Sequence, residues 1–261
     1  MSGKKHKIRV CRVSFARRVW YTVYIQACTG GMDMKRKPSM AGVVYLALLA
    51  AIGGYFFRMA QLSGGSVVPV IAFCALLTIF FLLAAVSLQP AAAFAELYHP
   101  SNADLILSVV GALALMAGCA LSFRGGMAQM LVSLLGLLGG AGLAWAAVMR
   151  RQGKKPSAAC YVIAVLFYVV KLFLDFRHWM LDPTIIDYCF SLLAMICFML
   201  ASYHAGAFSF DKGKRRRLAF FALTGVLFGG ASLAGAQTAA LLIYGGSTLW
   251  MLACAQQALH G

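Results

Sequence analysis

Eight apolar runs of 18 to 24 residues, separated by short and mostly basic stretches, dictate most of what this chain can become. A helix needs about 20 apolar residues to cross the hydrocarbon core of a bilayer. Inside that core every backbone amide must be satisfied by its own element. The runs near 41–62, 67–88, 105–123, 127–149, 158–176, 183–206, 218–235 and 237–257 meet or approach that length. They do not alternate with period two, which argues against strands of a transmembrane barrel. The chain is 62% hydrophobic and 11% charged, whereas soluble domains carry about 25% charged residues. The expected fold is therefore all-α: a polytopic transmembrane helical bundle of about eight spans. The last two runs, joined tightly at Gly235-Ala236-Gln237, would also suit a hairpin that penetrates only part of the bilayer.

The net charge of +16 does not point to nucleic acid, because the basic residues fall in clusters between spans and no binding motif accompanies them. Ten precede the first span. Arg150, Arg151, Lys154 and Lys155 follow the fourth, and Lys212, Lys214, Arg215, Arg216 and Arg217 follow the sixth. In an eight-span chain these 19 share one side. The other side holds Arg58, Arg124 and Arg177, and Lys171 lies within a span. Positively charged loops stay in the cytoplasm, so both termini are expected there, with anionic lipid within reach of the KGKRRR run, Lys212–Arg217.

Two regions follow: a basic N-terminal segment, residues 1–39, and a transmembrane domain, residues 40–261. Residues 1–31 lack the apolar core of a signal peptide. They suit either a basic amphipathic segment at the membrane surface or, the preferred reading, an over-extended start, with Gly30-Gly31 translated from a ribosome-binding sequence and the true start at Met34. A tryptic peptide from before Met34 would refute this.

Two echoes raise a 4+4 parallel repeat. Phe57-Arg58 and Phe176-Arg177 end the first and fifth spans, and GGAGLAW (Gly139–Trp145) and GGSTLW (Gly245–Trp250) lie in the fourth and eighth. Chance is the competing account, since glycine, leucine and phenylalanine are abundant.

Nearly half of the seven acidic residues fall within KLFLDFRHWMLDPTIIDY, Lys171–Tyr188. Asp182-Pro183 suits a helix start, with Asp as N-cap and Pro in the first turn. Ser101 and Asp104 suit a capping box opening the third span. Lys171 and Asp175, four residues apart, share one helical face. Asp187 lies at a similar depth on the next span, so the three can meet between antiparallel neighbours. Ionisable groups within a span pair, face the bundle interior or mark a solute or proton path. Lys171, Asp175 and Asp187 thus form a candidate substrate- or ion-binding site, with Arg177 at its outer rim. The competing reading is a structural clamp in which Lys171 reaches outward to Asp175 and the group locks two helices. Arg177, His178 and Trp179 also suit interfacial anchoring.

Nothing in the sequence calls for a cofactor or a metal. The eight cysteines form neither a CxxC nor a Cys/His ligand spacing. Serine-hydrolase, zinc-protease and nucleotide-binding motifs are absent, which disfavours an enzyme. In its Phe-Arg-x-Trp, Asp-Pro and Asp-Tyr pairs and its closing basic run, Phe176–Arg217 resembles a segment of uncharacterised bacterial multi-spanning membrane proteins. That resemblance implies a bacterial inner-membrane protein and brings no activity with it. The functional expectation is a small-solute or ion transporter, or a membrane binding protein. The alternatives are a structural or sensory membrane component and, behind both, an intramembrane enzyme.

Overall fold

The computed structural model describes residues 41–98, 101–124, 126–179 and 188–260. The basic N-terminal segment, the Asp182-Pro183 helix start and Asp187 lie outside these described residues. Among them the chain forms α1 (Ala41–Leu62), α2 (Val68–Ser87), the single turn α3 (Phe94–Leu97), α4 (Asn102–Leu121), α5 (Met127–Arg151), α6 (Ala158–Trp179), α7 (Cys189–Ala207), α8 (Arg215–Ser232) and α9 (Thr238–His260). The protein is an all-α polytopic membrane bundle, and seven of these helices are long and apolar enough to cross a membrane. Besides the single turn α3, the helix left out is α8, whose eighteen residues open with Arg215-Arg216-Arg217. Its length is still about 27 Å at 1.5 Å per residue, and nearly all of its later residues are buried. The final helix, α9, is long enough to cross in full. It enters through a turn at Gly235, whose φ of +72° suits glycine.

Helices α4, α5, α6, α7, α8 and α9 pack each against the next, and α9 closes back on α4. Outside this ring of six, α1 and α2 pack on α8. Helix pairing thus differs between the two halves of the chain. The two arginines of the sequence echo differ too, since Arg58 is buried and Arg177 is exposed.

Small residues set the spacing. A Cβ at Gly246 of α9 would lie 2.5 Å from the Gly111 carbonyl oxygen of α4, and one at Gly118 would lie 2.8 Å from the Ala239 carbonyl oxygen. Against α1, a Cβ at Gly230 of α8 would lie 2.6 Å from that of Ala51. Backbones therefore touch, as the small-residue rule for membrane helices requires. Aromatic side chains fill the bore of the ring. Tyr161 and Tyr168 of α6 reach across to α9 and α7, with ring centroids 6.4 Å apart for Tyr161–Trp250 and 5.7 Å for Tyr168–Phe198. The outer surface is apolar, with Leu49, Leu76, Ile79, Leu113 and Leu131 all exposed. A bilayer, not water, is the solvent that such a surface suits.

At the basic end the connections are knitted together. The Asp211 backbone is left-handed, φ +53°, a conformation that Asp tolerates better than most residues. Its carboxylate accepts from the Phe94 amide at 3.0 Å and from Lys155 Nζ. The Gly213 amide donates to the Ala92 carbonyl at 3.2 Å, and Arg216 Nε to the Leu88 carbonyl at 2.7 Å. The Lys155 hydrogen bond and then the Phe94 amide hold the Asp211 carboxyl below the ordinary carboxylate range. A carboxyl depressed in the folded state contributes stability that is present above its unfolded value of about 3.9. That contribution disappears as pH falls through the lower folded value. Asp211→Asn is therefore expected to flatten the acid side of the pH–stability curve below about pH 4. Thermal unfolding in detergent across that range checks this, and an unchanged slope would remove Asp211 from the account.

One sequence expectation is corrected here. Ser101 is the N-cap of α4, but its side chain makes no capping hydrogen bond. Asp104 does not close a capping box; it is buried with an unpartnered Oδ1. The physical reason lies opposite it, where Arg150 offers a buried cation.

Candidate functional site

The opposite end of the bundle carries a cavity of about 450 Å³. Arg58, Tyr188, Ser191, Ser232, Gln237 and Tyr244 help to line it, so α1, α7, α8 and α9 all contribute. Arg58 is 4% exposed. Its Nη1 donates to Gln61 Oε1 at 2.6 Å, and its guanidinium carbon sits 5.3 Å from the centre of the Phe190 ring. Local sequence explains the placement. The buried stripe of α1 runs through Val44, Ala47, Ala51 and Gly54, and its next two steps are Arg58 and Gln61.

Lys171 and Asp175 pair as their spacing predicts, with Nζ 2.9 Å from Oδ2 and 3.2 Å from Oδ1. Their side chains are 12% and 22% exposed. The Asp175 carboxylate is within electrostatic reach of the Tyr244 hydroxyl, but neither Lys171 nor Asp175 lines the cavity. Arg177 is exposed and lies apart from the cavity lining. Asp187, the third member of the expected site, falls outside the described residues. The Lys171–Asp175 pair lies within α6, so by itself it joins no second helix.

Sequence reasoning missed a second polar group, at the basic end. Arg150 is 3% exposed, and its Nη1 donates to Gln257 Oε1 of α9 at 2.8 Å. Its guanidinium lies 5.2 Å from the Tyr98 ring centre and 5.8 Å from that of Trp250, within cation–π range. Asp104 faces it across a void of about 10 Å³ that Ser101 and Ser108 also line, the room that one water needs. Arg150 Nε and Nη2, Asp104 Oδ1, Ser108 Oγ, Tyr98 Oη and Trp250 Nε1 are buried there without hydrogen-bond partners. The signal lay in the spacing: Gly136, Gly140, Leu143 and Ala147 mark the interior stripe of α5, and Arg150 is its next step. Arg151, one position on, is exposed.

Helix α9 connects the two ends. Its buried Tyr244, Ser247, Trp250, Cys254 and Gln257 recur every three or four residues, so they share one side of the helix. From Tyr244 to Gln257 they cover fourteen residues, or about 20 Å of rise. About one turn in from Tyr244, the Tyr168 and Ser247 hydroxyls meet at 2.9 Å across the bore. Among the described residues these side chains form an interrupted row of polar atoms in an apolar core, with the wider cavity at one end and the small void at Arg150 toward the other. Among the described residues no three His, Cys, Asp or Glu side chains lie close enough to hold a metal ion. No protein-family model, curated protein or solved structure matches the chain.

Proposed function

We propose that the protein moves or binds a small polar solute, with the Tyr244–Ser191 cavity as the point of entry and the polar side of α9 as the path. The observation that carries this reading is the alignment of buried hydroxyl, indole, thiol and amide groups on one side of α9, between that cavity and Arg150. Polar side chains inside a membrane bundle are costly, and they concentrate where a solute, ion or proton is handled. In this reading the Lys171–Asp175 pair acts on the entry electrostatically, through Tyr244, with Asp187 as the expected third member. The basic end faces the cytoplasm of a bacterial inner membrane in this reading, because that end carries the clustered lysines and arginines. The bore is shut at Tyr168 and Ser247, so passage requires those two side chains to separate.

A structural role for the charged pair is the alternative, favoured by one observation: Lys171 and Asp175 satisfy each other inside a single helix. Thermal unfolding of the purified protein against a panel of small solutes and pH values separates the two. A solute at a hundred times its dissociation constant stabilises by about 2.7 kcal/mol, a rise of roughly 5–10 °C for a chain of this size. Tyr244→Phe is expected to remove that rise while leaving the unliganded midpoint nearly unchanged. If no solute stabilises the wild type, and Lys171→Met and Asp175→Leu each destabilise while the double variant regains stability, the pair is structural and the transport reading fails.

A further inference from the structure

We infer that the basic end carries a site for one anionic diacyl phospholipid, seated astride Tyr203 with its phosphate at Arg217. This inference stands independently of the proposed transport path. Two grooves open on the apolar flank of the bundle on either side of Tyr203. The larger, about 840 Å³, lies between α6 and α7 and includes Val162, Val165 and Phe210 in its wall. The smaller, about 440 Å³, lies between α2, α7 and α8 and includes Leu82, Val86 and Phe220. Tyr203, His204 and Arg217 line both grooves. Tyr203 stands out as a ridge at 61% exposure, whereas the His204 ring is buried and stacked on Phe221 at 5.6 Å.

Charge selects the occupant. Lys212 and Lys214 line the larger groove together with Arg217, and all three are exposed. Among the described residues their side chains make no hydrogen bond or ion pair. The carboxylate in the same connection, Asp211, is already taken by Lys155 and the Phe94 amide. Three uncommitted cations above two apolar clefts match a phosphate above two acyl chains. From Ala158 to Val165 the wall of the larger groove descends about 10 Å along α6, from the basic loops into the apolar belt. A soluble anion would need the cations but not the clefts, and a zwitterionic lipid would need the clefts but not the cations.

The full-length protein in detergent tests this by thermal unfolding with added phosphatidylglycerol, phosphatidylcholine or inorganic phosphate. Phosphatidylglycerol alone is expected to raise the midpoint. Lys214→Gln/Arg217→Gln should weaken its apparent affinity about thirtyfold, or about fivefold for each charge removed. Val162→Trp, which fills the larger groove and leaves every charge in place, should weaken it as well. Equal stabilisation by phosphatidylcholine, stabilisation by inorganic phosphate alone, or an unchanged response in the double variant would each overturn the site. All of these side chains are exposed, so the variants are expected to fold. Should one fail to fold, the comparison of the three additives on the wild type decides the matter.

Discussion

Gly246→Leu is expected to abolish assembly of the bundle, and Gly246→Ala alone to lower the unfolding midpoint by roughly 5–10 °C. The crossing of α4 and α9 leaves no side chain to yield: an added Cβ would lie 2.5 Å from both the Gly111 carbonyl oxygen and the Leu115 amide nitrogen. Relief requires the two helices to separate, which would also disturb the neighbouring contacts of Gly118 and Trp250. Overpacking a tight site costs about 1–3 kcal/mol when side chains can adjust, and here the obstacle is backbone. The neighbouring position supplies the control. A Cβ at Gly245 meets only Leu233 Cδ2, at 3.8 Å, so Gly245→Ala should be neutral or slightly stabilising through better helix propensity. The two alanine variants, compared by thermal unfolding in detergent, differ only in position along the same turn. Equal midpoints would mean that the α4–α9 contact is looser than the structure shows.

That crossing was half legible in the sequence. Long apolar runs fixed the helices to within a few residues, because hydrocarbon leaves a spanning chain few other structures. Glycine recurs within those runs, and small residues permit close approach of membrane helices. Which helices would meet was not legible, since Gly111 and Gly246 are 135 positions apart and nothing local joins them. The ring from α4 to α9, with α1 and α2 outside it, is a product of that long-range pairing.

The candidate site was legible in a different way. Lys171 and Asp175 stood out because two opposite charges four residues apart in an apolar run have an obvious local partner. Arg58 and Arg150 were counted only for the side of the membrane they mark. Their burial could have been read from period alone, as each continues the interior stripe of its helix where a neighbouring arginine or loop does not. Asp104 was misassigned for a related reason. At the third position of a helix, an acid satisfies the capping pattern whatever the side chain faces. Only the arrival of α5 and α9 beside it, carrying Arg150 and Gln257, decides its partner.

Arg150→Met should therefore cost about 3–5 kcal/mol, the usual effect of removing one side of a buried charged group. Three losses combine: the Gln257 oxygen loses its donor, Tyr98 and Trp250 lose the cation between their rings, and Asp104 is left buried without a positive charge opposite. Arg151→Met, one residue on at an exposed position, should change stability by no more than about 0.5 kcal/mol. Charge alone does not fill the role. Arg150→Lys keeps the positive charge but lacks the planar fork that donates to Gln257 while lying against two rings, so it should recover less than half of the loss. The decisive comparison adds Asp104→Asn. If the carboxylate answers Arg150 across the 10 Å³ void, Arg150→Met/Asp104→Asn should be more stable than the sum of the two single changes predicts, by about 1–3 kcal/mol. Unfolding by denaturant in mixed micelles measures all four proteins on one scale. Strict additivity would separate the two residues and reduce the basic end of the α9 row to Arg150 and Gln257. Coupling of the expected size would show that a buried acid and a buried cation at the basic end act as one unit.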